Sequence, residues 1–319
     1  MDPQLSTALQ GAFPGRKVTE VEGTGPSWND QNRTVRLTFT DGDTTYLKFA
    51  TDGNGTRIAR ERAVITYVGA NREILVPTIV TADPAHDVPY LATAPVPCET
   101  LLGRWSDAAE DERADLIAAV GQTLAALHAE RFPEHGAIVG GDETGLTLDT
   151  GTWTDVLISQ IKQMQEIAPT KRFPEHFDAV IDAVEENRDL LDGTPAALLH
   201  GDPAHPNGFL VDDRIGFLDW EIAHVGDPVR ELHRAQRQLL DSQYFDVADR
   251  LNLVFLDAYR EAAGELPAGY EERRDIYELV GYLGRSGFFS KWAPDSERPE
   301  EELAETVETE MQRRLEAVQ

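Results

Sequence analysis

Alternating apolar and polar positions dominate the first hundred residues and predict β-strands there. Residues 33–40 and 44–50 alternate around an Asp-Gly-Asp turn, which is typical of a β-hairpin. In the return strand, Leu47 and Phe49 face one way and Lys48 faces the other. The other predicted elements of this part are strands at 18–22, 74–81 and 89–93 and a helix at 56–70. We therefore expect a sheet with one helix.

Helical spacing replaces this alternation in the second part of the chain. The segment Ala94–Cys98 precedes it and contains two prolines, so we predict a stiff, extended connector. The predicted helices cover residues 107–130, 153–167, 177–191, 229–240, 245–263, 276–292 and 300–318. Ser106 is expected to cap the first of them. Apart from one hairpin, we expect everything beyond the connector to be helical.

The exception lies between Leu198 and Asp227, where polar side chains surround two short apolar runs. The runs Gly208–Val211 and Ile215–Leu218 flank an Asp-Asp-Arg segment, which predicts two buried strands joined by a tight turn. Histidines, carboxylates and an amide stand at the strand ends and in the adjoining loops. Such positions are where a rigid scaffold commonly presents reactive groups.

Three of these polar residues, Asp202, Asn207 and Asp219, allow two interpretations. One is a solvated hairpin in which Asp and Gly merely make turns. The other is a metal site, because a hairpin brings Asn207, just before its first strand, close to Asp219, just after its second. Carboxylate and amide oxygens suit Mg²⁺ better than zinc. We favour the metal site because the polar residues cluster at one end of the predicted hairpin.

The amino-acid composition limits the classes of binding partner that we expect. The net charge is −28 and the pI is about 4.5, so nucleic acid and anionic membranes would be repelled. Only five of the 29 basic residues are lysines, which resembles proteins of a high-salt cytoplasm, although an acidic mesophilic protein has a similar composition. Cys98 is the only cysteine, which excludes an internal disulfide. The amino terminus lacks a signal-like pattern, so we expect a soluble cytoplasmic protein.

Phosphoryl transfer is a chemistry that these residues could support together. It needs a fixed cation on the nucleotide phosphates, Mg²⁺ ions and a carboxylate that orients the attacking hydroxyl. Lys48 could supply the cation, Asn207 and Asp219 the metal ligands, and Asp202 the carboxylate. Taken alone, Lys48 could equally be an ordinary solvent-facing strand residue, and Glu61 a solvated charge.

Two sequence motifs resemble those of a known family. HGDPAHPN at residues 200–207 and DWE at residues 219–221 resemble the HGDxxxxN and DWE signatures of the aminoglycoside phosphotransferase family. Weaker matches occur at residues 32–35, 47–48, 60–62, 124–128 and 226–232, where Glu231 replaces the usual Asp. The resemblance therefore spans about residues 20–235.

The resemblance implies an α+β, bilobal, protein-kinase-like fold. It implies a small β-rich nucleotide-binding lobe at residues 1–94, a hinge at 95–99 and a mainly α-helical catalytic lobe at 100–319. The implied activity is an ATP- and Mg²⁺-dependent kinase that transfers a γ-phosphoryl group to a hydroxyl. The acceptor would be a small molecule such as a sugar, an amino alcohol or an aminoglycoside-like compound.

The resemblance also implies a role for individual residues. Asp202 would be the catalytic carboxylate, and Asn207 and Asp219 would hold Mg²⁺. Lys48 would contact the nucleotide phosphates while paired with Glu61. The adenine would be held by the carbonyl of Ala94 and the backbone N–H of Val96, on either side of a proline that has no N–H.

Two other functions remain as alternatives. A nucleotide-binding pseudokinase would keep the fold without turnover, and a metal hydrolase would use His200, Asp202 and His205. Three departures from the family pattern bear on the nucleotide site: Cys98 in place of glycine, bulky Tyr46 above the adenine position, and an incomplete glycine-rich loop at residues 23–29.

Overall fold

The computed structural model describes residues 2–24, 31–96, 99–240 and 249–319. The strands are β1 (Val18–Gly23), β2 (Asn32–Phe39), β3 (Thr44–Ala50), β4 (Ile79–Asp83), β5 (Tyr90–Thr93), β6 (Glu99–Thr100), β7 (Arg131–Phe132), β8 (His135–Asp142), β9 (Gly145–Gly151), β10 (Ala196–Leu199), β11 (Gly208–Val211), β12 (Arg214–Phe217) and β13 (His224–Gly226). The helices are α1 (Pro3–Ala12), α2 (Thr56–Asn71), α3 (Leu101–Asp107), α4 (Glu110–His128), α5 (Trp153–Ile167), α6 (Pro174–Glu186), α7 (Arg188–Leu191), α8 (Pro228–Leu239), α9 (Arg250–Ala263), α10 (Arg274–Gly287), α11 (Phe289–Trp292) and α12 (Glu300–Ala317).

The amino-terminal strands form one antiparallel sheet in the order β1-β2-β3-β5-β4. Its apolar face, with Leu37, Leu47 and Phe49 fully buried, packs against α1. The carboxylate of Asp2 caps α1 by accepting a hydrogen bond from the N–H of Gln4 at 2.9 Å. Because side chains alternate along β3, burial of Leu47 and Phe49 on this face directs Lys48 to the opposite one.

The second part of the chain is mainly helical but contains two further sheets. A five-stranded sheet has the order β7-β10-β13-β8-β9, and a three-stranded sheet has the order β12-β11-β6. Buried side chains such as Leu124, Trp153 and Phe255 form one large core that also includes Ile58 and Val68 of α2. The helical part and α2 therefore share one packed interior.

The hairpin β11–β12 contacts the amino-terminal part at one edge and the strand that follows the connector at the other. On the β12 side, the N–H of Phe217 donates to the carbonyl of Leu75 at 3.3 Å, and Arg214 donates to the carbonyl of Glu73 at 2.6 Å. On the β11 side, Phe209 and Leu210 pair with β6, which follows the connector. The hairpin therefore lies between the segment that follows α2 and the strand that follows the connector.

Much of the predicted architecture is confirmed. The α+β class, the first sheet and the hairpin are present, and α5 has the predicted bounds. The predicted helix at 107–130 is wrong in detail, because the chain forms α3 and then α4, separated at Ala108–Ala109. Ser106 is not a cap; its hydroxyl donates to the carbonyl of Leu102, while Glu112 accepts from the N–H of Ala109 at 3.0 Å.

The prediction that the second part is helical apart from one hairpin is wrong. Strands β8 and β9 form a second hairpin whose turn follows Gly141, at φ 144°. Asp142 stabilises that turn by accepting from the N–H of Thr144 at 2.8 Å. The predicted strand at 74–81 begins only at Ile79. Residues 245–248 of a predicted helix and Pro97 and Cys98 of the connector lie outside the described residues.

No helix within the described ranges combines the length and the apolar character needed to cross a bilayer.

Candidate active site

The loop that follows β10 presents Asp202 because a glycine and a buried glutamate fix its path. Gly201 has φ 88°, and a Cβ at this position would lie 2.6 Å from the carbonyl oxygen of Ile222, so a larger residue would be strained and crowded. The carboxylate of Glu231, on α8, accepts hydrogen bonds from the N–H groups of His200 at 3.1 Å and Gly201 at 2.6 Å. The loop is therefore anchored to α8.

Glu231 is a buried charge, and its partners account for its ionisation. Burial alone would raise its pKa, but the hydrogen bond and charge of His128, together with the hydrogen bond from the N–H of Gly201, lower that pKa to about 2. The distance from His128 Nε2 to Glu231 Oε2 is 2.9 Å, and both side chains are 1% exposed. The carboxylate is therefore a charged acceptor that ties the Asp202 loop to α4 and α8.

Replacement of Glu231 by Gln tests this anchor. The folded pKa of about 2 lies below the ordinary 4.5, so the ionised carboxylate contributes stability above about pH 4.5 that is lost as the pH falls toward 2. We expect Glu231→Gln to lower the free energy of unfolding at pH 7 by about 3 kcal/mol and to flatten the acid side of the stability profile. Denaturant titrations between pH 3 and 7 would measure both. Exposed Glu261→Gln on α9 is the matched control, and an unchanged acid profile in Glu231→Gln would contradict the assignment.

Both ring nitrogens of His200 are engaged in holding the site together. Nδ1 accepts from the N–H of Asp202 at 3.1 Å, so Nε2 carries the proton and donates to the carbonyl of Leu218 at 2.9 Å. Burial lowers the pKa of His200, which keeps the ring uncharged. This geometry gives His200 a connecting role between the loop and the hairpin and leaves no nitrogen lone pair for a metal.

Asp202 is held by donors from two directions. Its Oδ1 accepts from Arg234 at 2.9 Å and from Gln238 at 2.5 Å, and its Oδ2 accepts from the Asn207 side-chain amide at 2.9 Å. Partial burial opposes ionisation, but the charge and hydrogen bond of Arg234 and the hydrogen bond of Gln238 lower the pKa of Asp202 overall. Its side chain is still 30% exposed, so an ionised, oriented carboxylate remains accessible at the surface of the site.

The hairpin places Asn207 beside the residue that precedes Asp219. Strand register pairs Gly208 with Phe217, and the N–H of Leu218 donates to the backbone carbonyl of Asn207 at 2.7 Å. Asp219 then adopts a left-handed conformation with φ 63°, which turns the chain out of the strand. Its side chain is 42% exposed. The predicted convergence of the two hairpin ends is therefore present in the structure.

Lys48 lies at the centre of a cluster of three carboxylates. Its Nζ is 2.6 Å from Glu61, 2.5 Å from Asp219 and 3.3 Å from Glu221. Burial alone would lower the pKa of Lys48, but these charges outweigh it and hold that pKa well above its ordinary value. Burial and the neighbouring carboxylates raise the pKa of Glu61 to about 7. The ammonium therefore stays charged and joins β3, α2 and the end of the hairpin.

Glu221 connects this cluster to strand β2 and to a second residue of α2. Its carboxylate accepts from Asn32 of β2 at 2.7 Å and from Arg57 of α2 at 2.7 Å, in addition to its contact with Lys48. Burial opposes its ionisation, but the charges of Lys48 and Arg57 lower the pKa of Glu221 to about 2. Glu221 is thus an ionised bridge between the amino-terminal sheet and the hairpin.

The donor set of the site fits a hard divalent cation. Carboxylate oxygens of Glu61, Asp219 and Glu221 lie within 4.8 Å of one another. The Asn207 amide nitrogen faces Asp202, which leaves its amide oxygen for another partner, and Lys48 engages only one oxygen of Asp219. Oxygen donors of this kind are those that Mg²⁺ prefers.

The structure therefore brings five of the seven predicted residues together, and the remaining two lie in the connector. Lys48, Glu61 and Asp219 form one group, and Asp202 and Asn207 form the adjacent one. Ala94 and Val96 are half-buried directly after β5. Sequence reasoning missed Arg234 and Gln238; their spacing of four on a predicted helix was the available signal, but nothing in it pointed to Asp202.

The fold is that of the protein-kinase-like small-molecule kinases. The chain matches a protein assigned as a fructosamine-3-kinase from Thermobifida fusca with a TM-score of 0.61, 20% identity and 99% of each chain covered. It matches the aminoglycoside phosphotransferase APH(4)-Ia with a TM-score of 0.61, 16% identity, and 99% and 97% of the two chains covered. For the choline kinase LicA from Streptococcus pneumoniae the TM-score is 0.63, the identity 14%, and the coverage 98% of each chain.

The family model described as the phosphotransferase enzyme family matches residues 23–276. The chain therefore belongs to the phosphotransferase enzyme family, and the resemblance carried by residues 200–207 and 219–221 is confirmed. No curated protein matches the chain significantly. Membership identifies the protein as a small-molecule phosphotransferase.

Proposed function

We propose that the protein is an ATP- and Mg²⁺-dependent kinase that transfers a γ-phosphoryl group to the hydroxyl of a small molecule. The observation that carries the proposal is the junction of two groups at one end of the hairpin. Lys48 Nζ lies 2.5 Å from Asp219 Oδ1, just after the second strand, and Asn207, just before the first strand, donates to Asp202 at 2.9 Å. A cation, a pair of metal ligands and a carboxylate are the parts that phosphoryl transfer requires.

Asp202 would orient the acceptor hydroxyl and receive its proton. As the hydroxyl oxygen bonds to the γ-phosphorus, the bond from that phosphorus to the β–γ bridging oxygen breaks and ADP leaves with the electron pair. Because Arg234 and Gln238 lower the pKa of Asp202, its carboxylate is ionised at neutral pH and ready to accept a hydrogen bond from the hydroxyl. Its role is therefore mainly to position the nucleophile.

Asn207 and Asp219 would hold Mg²⁺ through the amide oxygen and a carboxylate oxygen. The ion, when bound, offsets the charge of the phosphate oxygens. Lys48 would release its contact with Asp219 to pair with the α- and β-phosphates while Glu61, at 2.6 Å, keeps the ammonium in place. Glu221 would hold Lys48 and Arg57 on the same side of the site.

We further propose that residues 1–94 form the nucleotide-binding lobe, 95–99 the hinge and 100–319 the catalytic and substrate-binding lobe. The strands of the first sheet all fall between residues 18 and 93, which supports the first boundary. The adenine would lie against the backbone of Ala94 and Val96. The N–H of Ala94 donates to the carbonyl of Thr78 at 2.9 Å, which fixes the start of the connector.

An ATP-consumption screen tests the proposed function. We expect ATP to raise the melting temperature more with Mg²⁺ than without it, because the ion held by Asn207 and Asp219 would also bind the phosphates of ATP. ADP formation should then depend on one class among sugars, amino alcohols, choline-like compounds, aminoglycosides and hydroxyl-bearing acids. Assays in low salt and in molar KCl would allow for the acidic composition. Binding of ATP with Mg²⁺ but no turnover with any acceptor would favour the pseudokinase alternative.

A further inference from the structure

Helix α8 presents a basic face to Asp202. Arg230, Arg234 and Gln238 follow one another at intervals of four, so they lie along one side of the helix, and each is half-buried. Arg234 and Gln238 both donate to Asp202 Oδ1. We call the two arginines, together with the neutral Gln238, the α8 basic face. It forms a wall of the site beside the carboxylate proposed to orient the acceptor.

Within the described part of the chain, the direct hydrogen-bond and ring partners of the Arg230 guanidinium are all neutral. Its guanidinium bonds the side-chain oxygen of Gln160 and approaches His224 Nε2 at 2.8 Å, and it lies over the ring of Trp153 at 5.6 Å. Burial and the charge of Arg230 lower the pKa of His224 to about 3, so the histidine is neutral and accepts. Between residues 2 and 319, outside the undescribed gaps, no carboxylate lies within 4.0 Å of Arg230.

Arg230 remains charged despite this environment. Burial, followed by the charge of Arg234, lowers its pKa to about 10, while the more distant charges of Glu231 and Asp227 act in the opposite direction, and the value is still well above neutral pH. A partly desolvated charge without a carboxylate in direct contact is costly, and proteins usually neutralise it with a pair or a ligand. Acidic partners are abundant in this chain, which carries 57 acidic residues; Arg273, for example, contacts Asp227 at 2.6 Å.

Arg234 is also incompletely engaged. Its Nη2 contacts Asp202, whereas its Nε is buried and has no hydrogen-bond partner among the residues that the structure describes, and the same holds for the side-chain oxygen of Gln238. A guanidinium offers five N–H donors in a fork that matches carboxylate and phosphate oxygens. The α8 basic face therefore holds two positive charges, and the only carboxylate on either among the described residues is Asp202 itself.

We propose that the acceptor carries an anionic group, a carboxylate or a phosphate, close to the hydroxyl that is phosphorylated. The anion would be held by the guanidinium groups of Arg234 and Arg230, one helical turn apart, while the hydroxyl lies on Asp202. A cationic acceptor would meet two charges of its own sign at this wall. The inference rests on the proposed kinase function and narrows its acceptor to a hydroxylated anion.

Matched acceptors test this class directly. With ATP and Mg²⁺, ADP formation would be compared for glycerol, glycerate, glycerol 3-phosphate and serinol, and for glucose, gluconate, glucose 6-phosphate and glucosamine. We expect an anionic member to exceed its neutral and cationic counterparts in kcat/KM by at least about 10-fold, the usual effect of one charge-assisted hydrogen bond. Comparison of the carboxylates, glycerate and gluconate, with the phosphates, glycerol 3-phosphate and glucose 6-phosphate, shows which anionic group is preferred. Preference for neutral or cationic members would overturn the inference while supporting the proposed function.

Calorimetric titration of the full-length protein with the same four anions, in the presence of ADP and Mg²⁺, separates the two proposals further. If no compound in any acceptor class is phosphorylated, the kinase function fails, and the titration still decides the inference. Anion binding that Arg230→Gln weakens would support it, and absence of binding by all four anions would overturn it.

Variants of Arg230 give the sharper measurement. We expect Arg230→Gln to raise the KM for the anionic acceptor by about 10- to 100-fold, with a smaller change in kcat. Arg230→Lys should restore part of the affinity because the charge is kept. Exposed Arg260→Gln on α9, which pairs with Asp257, is the matched control. If Arg230→Gln does not fold, Arg230→Lys and Arg234→Lys carry the test; wild-type KM in both, or equal losses for neutral and anionic acceptors, would overturn the proposal.

Discussion

Replacement of Asp202 by Asn is expected to lower phosphoryl transfer by about 10²- to 10⁴-fold while ATP binding is retained. The amide has nearly the same size as the carboxylate, but it cannot accept the proton of the acceptor hydroxyl. It also removes the negative charge that Arg234 and Gln238 hold in place at Oδ1. Steady-state ADP formation and the shift in melting temperature with ATP and Mg²⁺ would measure the two properties separately.

The matched control for this variant is Asp213→Asn in the hairpin turn. Asp213 is exposed and has φ 63°, a conformation that Asn also tolerates, so the control makes the same chemical change away from the site. Turnover in Asp202→Asn equal to that of the control would remove Asp202 from its proposed role. Loss of nucleotide binding together with turnover would indicate a structural role instead.

Replacement of Lys48 by Met should lower turnover by about 10²- to 10³-fold, the usual effect of removing one preorganised charge from a reaction site. The change also removes the ammonium that offsets the mutual repulsion of three carboxylates, those of Glu61, Asp219 and Glu221. Their mutual repulsion raises their pKa values, so protonation should stabilise the variant. We therefore expect its melting temperature to rise as the pH falls from 8 to 5.

In the wild type, Lys48 offsets part of this repulsion, so we expect a smaller rise over the same range. Glu61, whose pKa is raised to about 7, contributes in the same direction, whereas no pH dependence in this range comes from Glu221. Its pKa of about 2 lies below the ordinary 4.5, so its stabilisation is complete above about pH 4.5 and is lost as the pH falls toward 2. Melting temperatures of both proteins across pH 5 to 8 would show the difference. Lys162→Met, an exposed lysine of α5, is the control. Wild-type turnover and wild-type pH dependence in Lys48→Met would contradict the proposed role of the cluster.

The parts of the fold that the sequence predicted are those with a strong local pattern. Alternation fixed the faces of β3, so the orientation of Lys48 followed from Leu47 and Phe49 alone. Hairpin geometry then predicted the approach of Asn207 to the residues before Asp219. The hairpin β8–β9 was missed because its glycines weaken both helical and strand patterns, and its pairing depends on contacts with β13 that are distant in sequence.

Only those residues of the site that lie in a sequence motif could be predicted. The residues that hold Asp202 come from α8, more than thirty positions away, and only the packing of that helix brings Arg234 and Gln238 to the carboxylate. Glu231 was recognised as a motif position, but its hydrogen bonds to His200 and Gly201 depend on the three-dimensional path of the loop. Local periodicity contains no information about either set of contacts.

The attachment of β11–β12 at both edges has a mechanical consequence for the molecule. Leu75 contacts one edge, the strand after the connector, Glu99–Thr100, pairs with the other, and α2 packs into the same core as the helices. The elements around Lys48 and Asp219 are therefore fixed to one another at several places. We expect a movement of the amino-terminal sheet to displace its outer strand β1 further than it separates Lys48 from Asp219.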